Sequence, residues 1–258
     1  MTLALAWISV APVKGLALRS LHEAELTPVG VKGDRLFHLV GDDGRLANRK
    51  QVAALAGIVA EAGDEGRVLR LRFPDGTEVA GEPVDGPPVT TAFYGRPVEG
   101  RVVEGPWGDA LSAYTGRSLR LVRVTPGEAH DRGPGAAVSI VSTASLERLR
   151  GAAGIDEPVD QRRFRMLLGV SGAEPHEEDG WLGREVAIGS AVVRPLSHVG
   201  RCAVTTQDPD TGEVTLDTLH VLRAYRGDVE TEEPLPFGVW GEVVVPGRIA
   251  VGDPVDPR

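Results

Sequence analysis

The single cysteine of the chain, Cys202, stands in the run Arg201-Cys202-Ala203-Val204-Thr205-Thr206-Gln207-Asp208-Pro209-Asp210-Thr211-Gly212. A thiolate is a soft metal ligand, and a neighbouring guanidinium lowers the cost of making one. Isolated cysteines more often serve as small buried hydrophobes, so spacing alone leaves both roles open. On the turn just beyond, Asp208 or Asp210 can supply a proton or shape a pocket, although Asp-Pro and Asp-Thr-Gly are also ordinary turn chemistry. The other candidates are cationic. Lys14 is a point charge, the glycine amide of Gly15 can approach an anion closely, and Arg35 and Arg165 offer planar forks for oxygen acceptors. Isolated cations of this kind usually end as solvated surface charges. None of the six histidines has a spacing such as His-x-x-x-His, and each is expected on the surface or satisfied in the core. The acidic run from Glu174 to Asp179 reads as a solvated loop able to pair with Arg162 and Arg163.

The elements that must position these residues are mostly strands. Period-two patterning marks Val68 to Phe73 and Thr77 to Val79 as a hairpin around Pro74-Asp75-Gly76, and Asp42-Asp43-Gly44 as another turn. Further strands are expected at Leu36 to Val40, Leu119 to Val124, Ala137 to Val141, Ala191 to Val193 and Glu242 to Val245. Three short helices are predicted: from Asp109 to Gly116, from Ser142 to Gly151, and from Thr215 to Gly227 with Leu216, Leu219, Leu222 and Tyr225 on one face. A helix starting at Ser142 would offer free amides and a positive dipole end to an anion. The fold expected is mainly β (α+β). Proline and glycine cluster at residues 81–88 and again at Gly105-Pro106, which marks a seam between a module at 1–105 and a larger one at 106–258.

Composition excludes several classes of function. At 258 residues and 41% hydrophobic content the chain can bury a substantial core. Its net charge of -9 opposes nucleic acid and anionic membranes as partners and favours a small-molecule ligand. The 33 glycines and 19 prolines indicate many turns and short strands. One cysteine permits no disulfide framework and no Cys-rich zinc site, which suits a reducing, cytoplasmic compartment. The segment Met1 to Val10 is neither a signal peptide nor a membrane helix and reads as a first strand. Nucleotide-binding Walker and Gly-x-Gly-x-x-Gly motifs are missing, as is Gly-x-Ser-x-Gly.

The Cys202 run closely resembles the metal-binding segment of the MOSC family, relatives of the molybdenum cofactor sulfurase C-terminal domain. Within that family the resemblance is to the amidoxime-reducing components. It extends through Pro12-Val13-Lys14, Asp34-Arg35-Leu36-Phe37, Val141-Ser142-Thr143-Ala144-Ser145-Leu146, Arg163-Phe164-Arg165, which resembles the family's Arg-Phe-Arg strand, Thr218-Leu219 with Tyr225-Arg226, Phe237-Gly238-Val239-Trp240 and Val251-Gly252-Asp253-Pro254-Val255, in the family's order. The resemblance implies a MOSC β-barrel joined to a small β-rich N-terminal domain, with the first strands touching the cofactor. The implied cofactor is Mo-molybdopterin. Lys14, Gly15 and Arg35 would hold its phosphate or pterin end, Arg165 the pterin side, and Arg201 and Cys202 the metal end, with Trp240 close by. The implied activity is reduction of an N-hydroxylated small molecule. Electrons would come from an external flavin, iron–sulfur or haem protein, because the chain has no such motif of its own. A sulfur or cofactor carrier that uses Cys202 as a persulfide or transfer site is the alternative, and a non-enzymatic anion-binding β-barrel module is another. One departure stands out. Where amidoxime-reducing relatives follow Arg-Phe-Arg with Pro-Asn, this chain has Met166-Leu167, so an apolar side chain replaces a pterin partner. Gly15 likewise replaces a small hydroxyl residue.

Overall fold

The computed structural model describes residues 2–133 and 135–258, excluding the side chain of Asp64. Two sheets carry most of the chain. The larger has eight strands in the order Val255–Pro257, Val186–Ile188, Ala191–Gly200, Pro236–Val245, Val138–Ser142, Leu168–Ser171, Ala4–Val10, Arg19–Leu21. Its neighbours are antiparallel except Val138–Ser142 beside Leu168–Ser171, whose connection is a helix, as a parallel crossover requires. The second sheet runs Val84–Phe93, Arg96–Glu104, Leu119–Val124, Phe37–Gly41, Leu46–Ala47. Two three-stranded sheets complete the mainly β, α+β fold.

The seam at 105/106 is crossed in both directions. Ala4–Val10 lies in the sheet built mostly from the C-terminal half, while Leu119–Val124 pairs with Phe37–Gly41 of the N-terminal half. Alternation explains both placements. In Leu119–Val124 the side chains of Leu119 and Leu121 join an apolar cluster with Leu39, Leu55, Leu69 and Trp107, while Arg120 is exposed. A second cluster holds Leu5, Ile8, Leu168, Val170, Val193 and Val239 across the large sheet. The first strand thus fills a core made by residues more than a hundred positions later.

The expected strand at Leu119–Val124 and the hairpin Val68–Arg72 with Glu78–Gly81 fall where the pattern puts them. The strands expected at Ala191 and Glu242 are longer, spanning Ala191–Gly200 and Pro236–Val245. Their pairing shifts register near Pro195 and Gly200, so residues that read as breakers are absorbed as bulges. Gly238 has φ 77°, and a Cβ there would lie 2.6 Å from the Ile140 carbonyl oxygen, which leaves glycine as the residue that fits beside the neighbouring strand.

Helix α1 is Trp107–Thr115, with Asp109 inside its first turn rather than capping it, and it ends at Gly116 as expected. Helix α2, Thr143–Ala153, is capped by Ser142, whose Oγ accepts from the Ser145 amide, but continues past Gly151 to Gly154. Helix α3, Thr218–Arg226, is capped by Asp217 in place of Thr215 and ends at Gly227. Two readings of the sequence are corrected here. Arg163-Phe164-Arg165 is not a strand: Gln161–Phe164 is a 3-10 turn, closed by Arg165 in the left-handed region. Nor is the acidic run a solvated loop. Glu178 is fully buried, accepts from Ser145 Oγ, and fills the end of α2 that was expected to face a ligand. Asp179 accepts from Arg226, while Arg162 pairs with Asp160 and Asp210.

Candidate functional site

A cleft of about 180 Å³, open to solvent at its mouth, lies where the two halves meet. Its N-terminal wall includes Lys14, Gly15, Arg35, Asn48, Arg49 and Tyr94, and its C-terminal wall includes Arg163 to Leu167, Gly200 to Cys202 and Trp240. Seven lysine or arginine side chains line it against one carboxylate, Asp131. In a chain of net charge -9 this is a local reversal of field, and it selects an anionic guest.

Local structure delivers each cation. The Lys14 amide donates to the Phe37 carbonyl (2.8 Å), and Gly15 turns the chain at φ 93°. Lys14 Nζ lies 2.6 Å from Asp131 Oδ1. Burial lowers the lysine's pKa, with the nearby Arg35 adding to the effect against Asp131. Arg35 is left-handed (φ 49°) and pairs with Asp34, whose side chain is wholly buried. Burial alone would raise the Asp34 carboxyl, but Arg35, His130 and the Ala11 amide hold it at about 2. Asp34 therefore stays ionised and fixes the guanidinium.

Arg165 is left-handed too (φ 55°). Its buried Nη1 has no hydrogen-bond partner among the described residues. Burial, then Arg49 and Arg35, pull its pKa down to about 9. An uncompensated buried cation costs stability, so its natural complement is a ligand's oxygen. Arg201 behaves differently. Its Nε donates to the Phe237 carbonyl (2.9 Å), Nη1 to that of Phe164 (3.0 Å), and Nη2 to Met166 Sδ (2.9 Å). Arg201, expected at the metal end, lines the cleft and ties the 164–166 turn to the strand at Phe237.

Cys202 is exposed, at the start of the 3-10 turn Ala203–Thr206, where its carbonyl accepts from the Thr205 amide and hydroxyl. Trp240 lines the cleft with the Arg132 guanidinium 5.4 Å from its ring centroid. Asp208 does not line the cleft. Its Oδ1 accepts from the amides of Asp210 (3.0 Å) and Thr211 (2.9 Å), and those bonds, the one from Thr211 foremost, hold its carboxyl below the ordinary range. A carboxylate so occupied shapes the turn and is a poor proton donor. The turn also joins the two halves: the Asp208 carbonyl accepts from Arg49 Nη2 (2.8 Å), and Gln207 Nε2 donates to the Arg49 carbonyl (3.0 Å).

Sequence reasoning missed Asn48, Arg49, Tyr94, His130 and Asp131 as cleft residues. His130, expected on the surface or satisfied in the core, is buried, its Nδ1 without a partner among the described residues, and burial lowers its pKa. One signal was available. Tyr94-Gly95 sits at a hairpin tip where Asn-Gly is the usual pair. Leu167, at the position of the family's asparagine, lines the cleft yet is 2% exposed within the cluster of Leu5, Ile8 and Leu168.

Comparison with known proteins now defines the class. Residues 127–256 match the MOSC domain and residues 2–105 match the MOSC N-terminal beta barrel domain, and the chain belongs to the MOSC family. It is 27% identical to "Mitochondrial amidoxime-reducing component 1" of Mus musculus, over 98% of this chain and 81% of that protein. With the Homo sapiens protein of the same name it shares 28%, over 98% and 82%. A solved structure, the YUAD protein from Bacillus subtilis, aligns over 99% of this chain and 94% of that one with 13% identity and a TM-score of 0.46. Among the described residues no helix is long and apolar enough to cross a membrane.

Proposed function

We propose that the protein is a molybdenum-cofactor-binding oxidoreductase that reduces N-hydroxylated small molecules with electrons from a separate redox protein. The observation that carries this reading is the pairing, within one cleft, of buried cations that lack full compensation with an exposed thiol. The residues present fit Mo-molybdopterin. Its phosphate needs cations, which Lys14, Arg35 and Arg165 supply, and the orphaned Nη1 of Arg165 supports an oxygen guest there. No three His, Cys, Asp or Glu side chains gather as a bare-metal site among the described residues, which favours a metal carried in by the cofactor, with Cys202 as its protein ligand.

When bound, the cofactor supplies two-electron redox chemistry. The chain's own residues bind and orient it. Asp34 holds Arg35 toward the anion, Arg201 holds the 164–166 turn that presents Arg165, and the 207–212 turn keeps Cys202 registered against the N-terminal wall through Arg49. Asp131, now on Lys14, must yield to a phosphate. A reducing compartment such as the cytoplasm would keep the thiol free.

Replacing Cys202 with serine tests the reading, because it removes a soft ligand at little steric cost. Cys202→Ser should lower reductase turnover at least about a hundredfold and weaken metal retention, with the melting temperature unchanged. Full turnover in a fully metallated variant would refute it.

A further inference from the structure

Tyr94 occupies a position its residue type does not favour. The strands Val84–Phe93 and Arg96–Glu104 pair up to Phe93 opposite Arg96, leaving Tyr94-Gly95 as a two-residue tip with φ 47° and 95°. Positive φ at both positions is the type I′ arrangement, for which asparagine or glycine is the normal first residue. A bulky aromatic in the left-handed region is strained. Six non-glycine residues have positive φ among the described residues, and three of them, Arg35, Tyr94 and Arg165, line the cleft.

The side chain also gains little from the fold. Tyr94 is 60% exposed, and Lys50 Nζ lies 4.7 Å from its ring centroid. Its hydroxyl accepts from Asn48 Nδ2 (3.1 Å). The Asn48 amide is oriented because its Oδ1 accepts from the Lys50 amide (2.9 Å). The phenol oxygen is thus an acceptor on the Asn48 side, which leaves its hydrogen to be donated to another group. A tyrosine phenol is neutral at pH 7, so Tyr94 keeps its proton. A neutral O–H donor in the same cleft as Cys202, among side chains otherwise mostly cationic, is suited to an uncharged oxygen rather than to phosphate.

We propose that Tyr94 is the substrate-recognition residue of the site, its O–H donating to the oxygen of an uncharged N–O group presented at the Cys202 end. This rests on the reductase reading. The strain at the hairpin tip is then the cost of placing a phenol where the turn would prefer asparagine.

Holoprotein from a molybdopterin-competent host, as wild type, Tyr94→Phe and Tyr94→Asn, tests the assignment with an N-hydroxylated amidine as the probe. Tyr94→Phe keeps the ring and the strain and removes the O–H donor together with the acceptor of Asn48 Nδ2. It should retain metal content and melting temperature and lose about ten- to hundredfold in kcat/KM. Tyr94→Asn should lose as much while melting higher than wild type. Equilibrium binding of the same amidine separates the two readings. If metallated wild type binds it without turning it over, the reductase reading fails, and weaker binding by Tyr94→Phe still upholds Tyr94. Unchanged kcat/KM and binding in Tyr94→Phe, loss of metal in that variant, or no binding by wild type would overturn the assignment.

Discussion

Arg201 and Arg165 line the same cleft, and burial draws both guanidiniums down to about 9. They differ in what their N–H groups find. Arg201 donates to the backbone at Phe164 and Phe237, so the fold itself compensates for its desolvation. Arg165 keeps an orphaned Nη1, so the fold bears the cost without return. The contrast separates a cation that builds the cleft from one held ready for a guest, a distinction that burial and charge alone do not make.

Truncating each arginine should break the pair apart. Arg201→Ala removes the guanidinium donors of two carbonyls, and at about 1.5–3 kcal/mol for each lost bond to a charged group it should cost roughly 3–6 kcal/mol, read as a fall of about 10 °C in melting temperature. Arg165→Ala removes an uncompensated charge and should leave the apoprotein's melting temperature unchanged or raised, while weakening its affinity for inorganic phosphate about tenfold. Equal destabilisation by the two variants would erase the distinction.

Acid titration probes a third buried group against these two. His38 is buried with Nε2 2.8 Å from Thr91 Oγ1, and burial, with the Lys14 charge, lowers its pKa to about 3. The unfolded chain takes up a proton near pH 6.5 that the folded one refuses until about 3, so stability is full above pH 6.5 and falls as the pH drops through that window. By pH 5 the loss from this one group should be about 2 kcal/mol. His38→Gln should flatten the decline in urea denaturation followed between pH 7 and 5.

The smallest effect sharpens the comparison at Leu167. Its side chain packs with Leu5 and Ile8, so Leu167→Asn should bury an amide among apolar neighbours and lower stability by about 1–3 kcal/mol. Slower cofactor release with an unchanged melting temperature would instead put this side chain in the pterin's reach.

What the sequence made legible follows the range of the interactions. The turn at Asp208 to Gly212, the Ser142 cap and the hairpin at Pro74-Asp75-Gly76 are local chemistry, and each stands where its residues indicate. Longer-range events escaped. Glu178 folds back 33 residues to close the end of α2, and nothing in the acidic run signals that. Arg49 reaches the cleft through a contact 159 residues away at Asp208. Arg163-Phe164-Arg165 reads as extended until Arg165 turns left-handed, a choice made by the clasp of Arg201 rather than by local propensity. Asp208 was expected to touch the chemistry because it neighbours Cys202 in sequence, yet the turn it caps carries it out of the cleft.

The central claim is that the uncompensated cations and the Cys202 thiol await one molybdenum-bearing anion. Metal analysis of the full chain, purified from a host competent in molybdopterin synthesis, tests this directly. Wild type should carry about one molybdenum per chain, and Cys202→Ser and Arg165→Ala should each carry less after dilution and gel filtration. Protein free of molybdenum, from cells that load another molybdenum enzyme in parallel, would contradict the account.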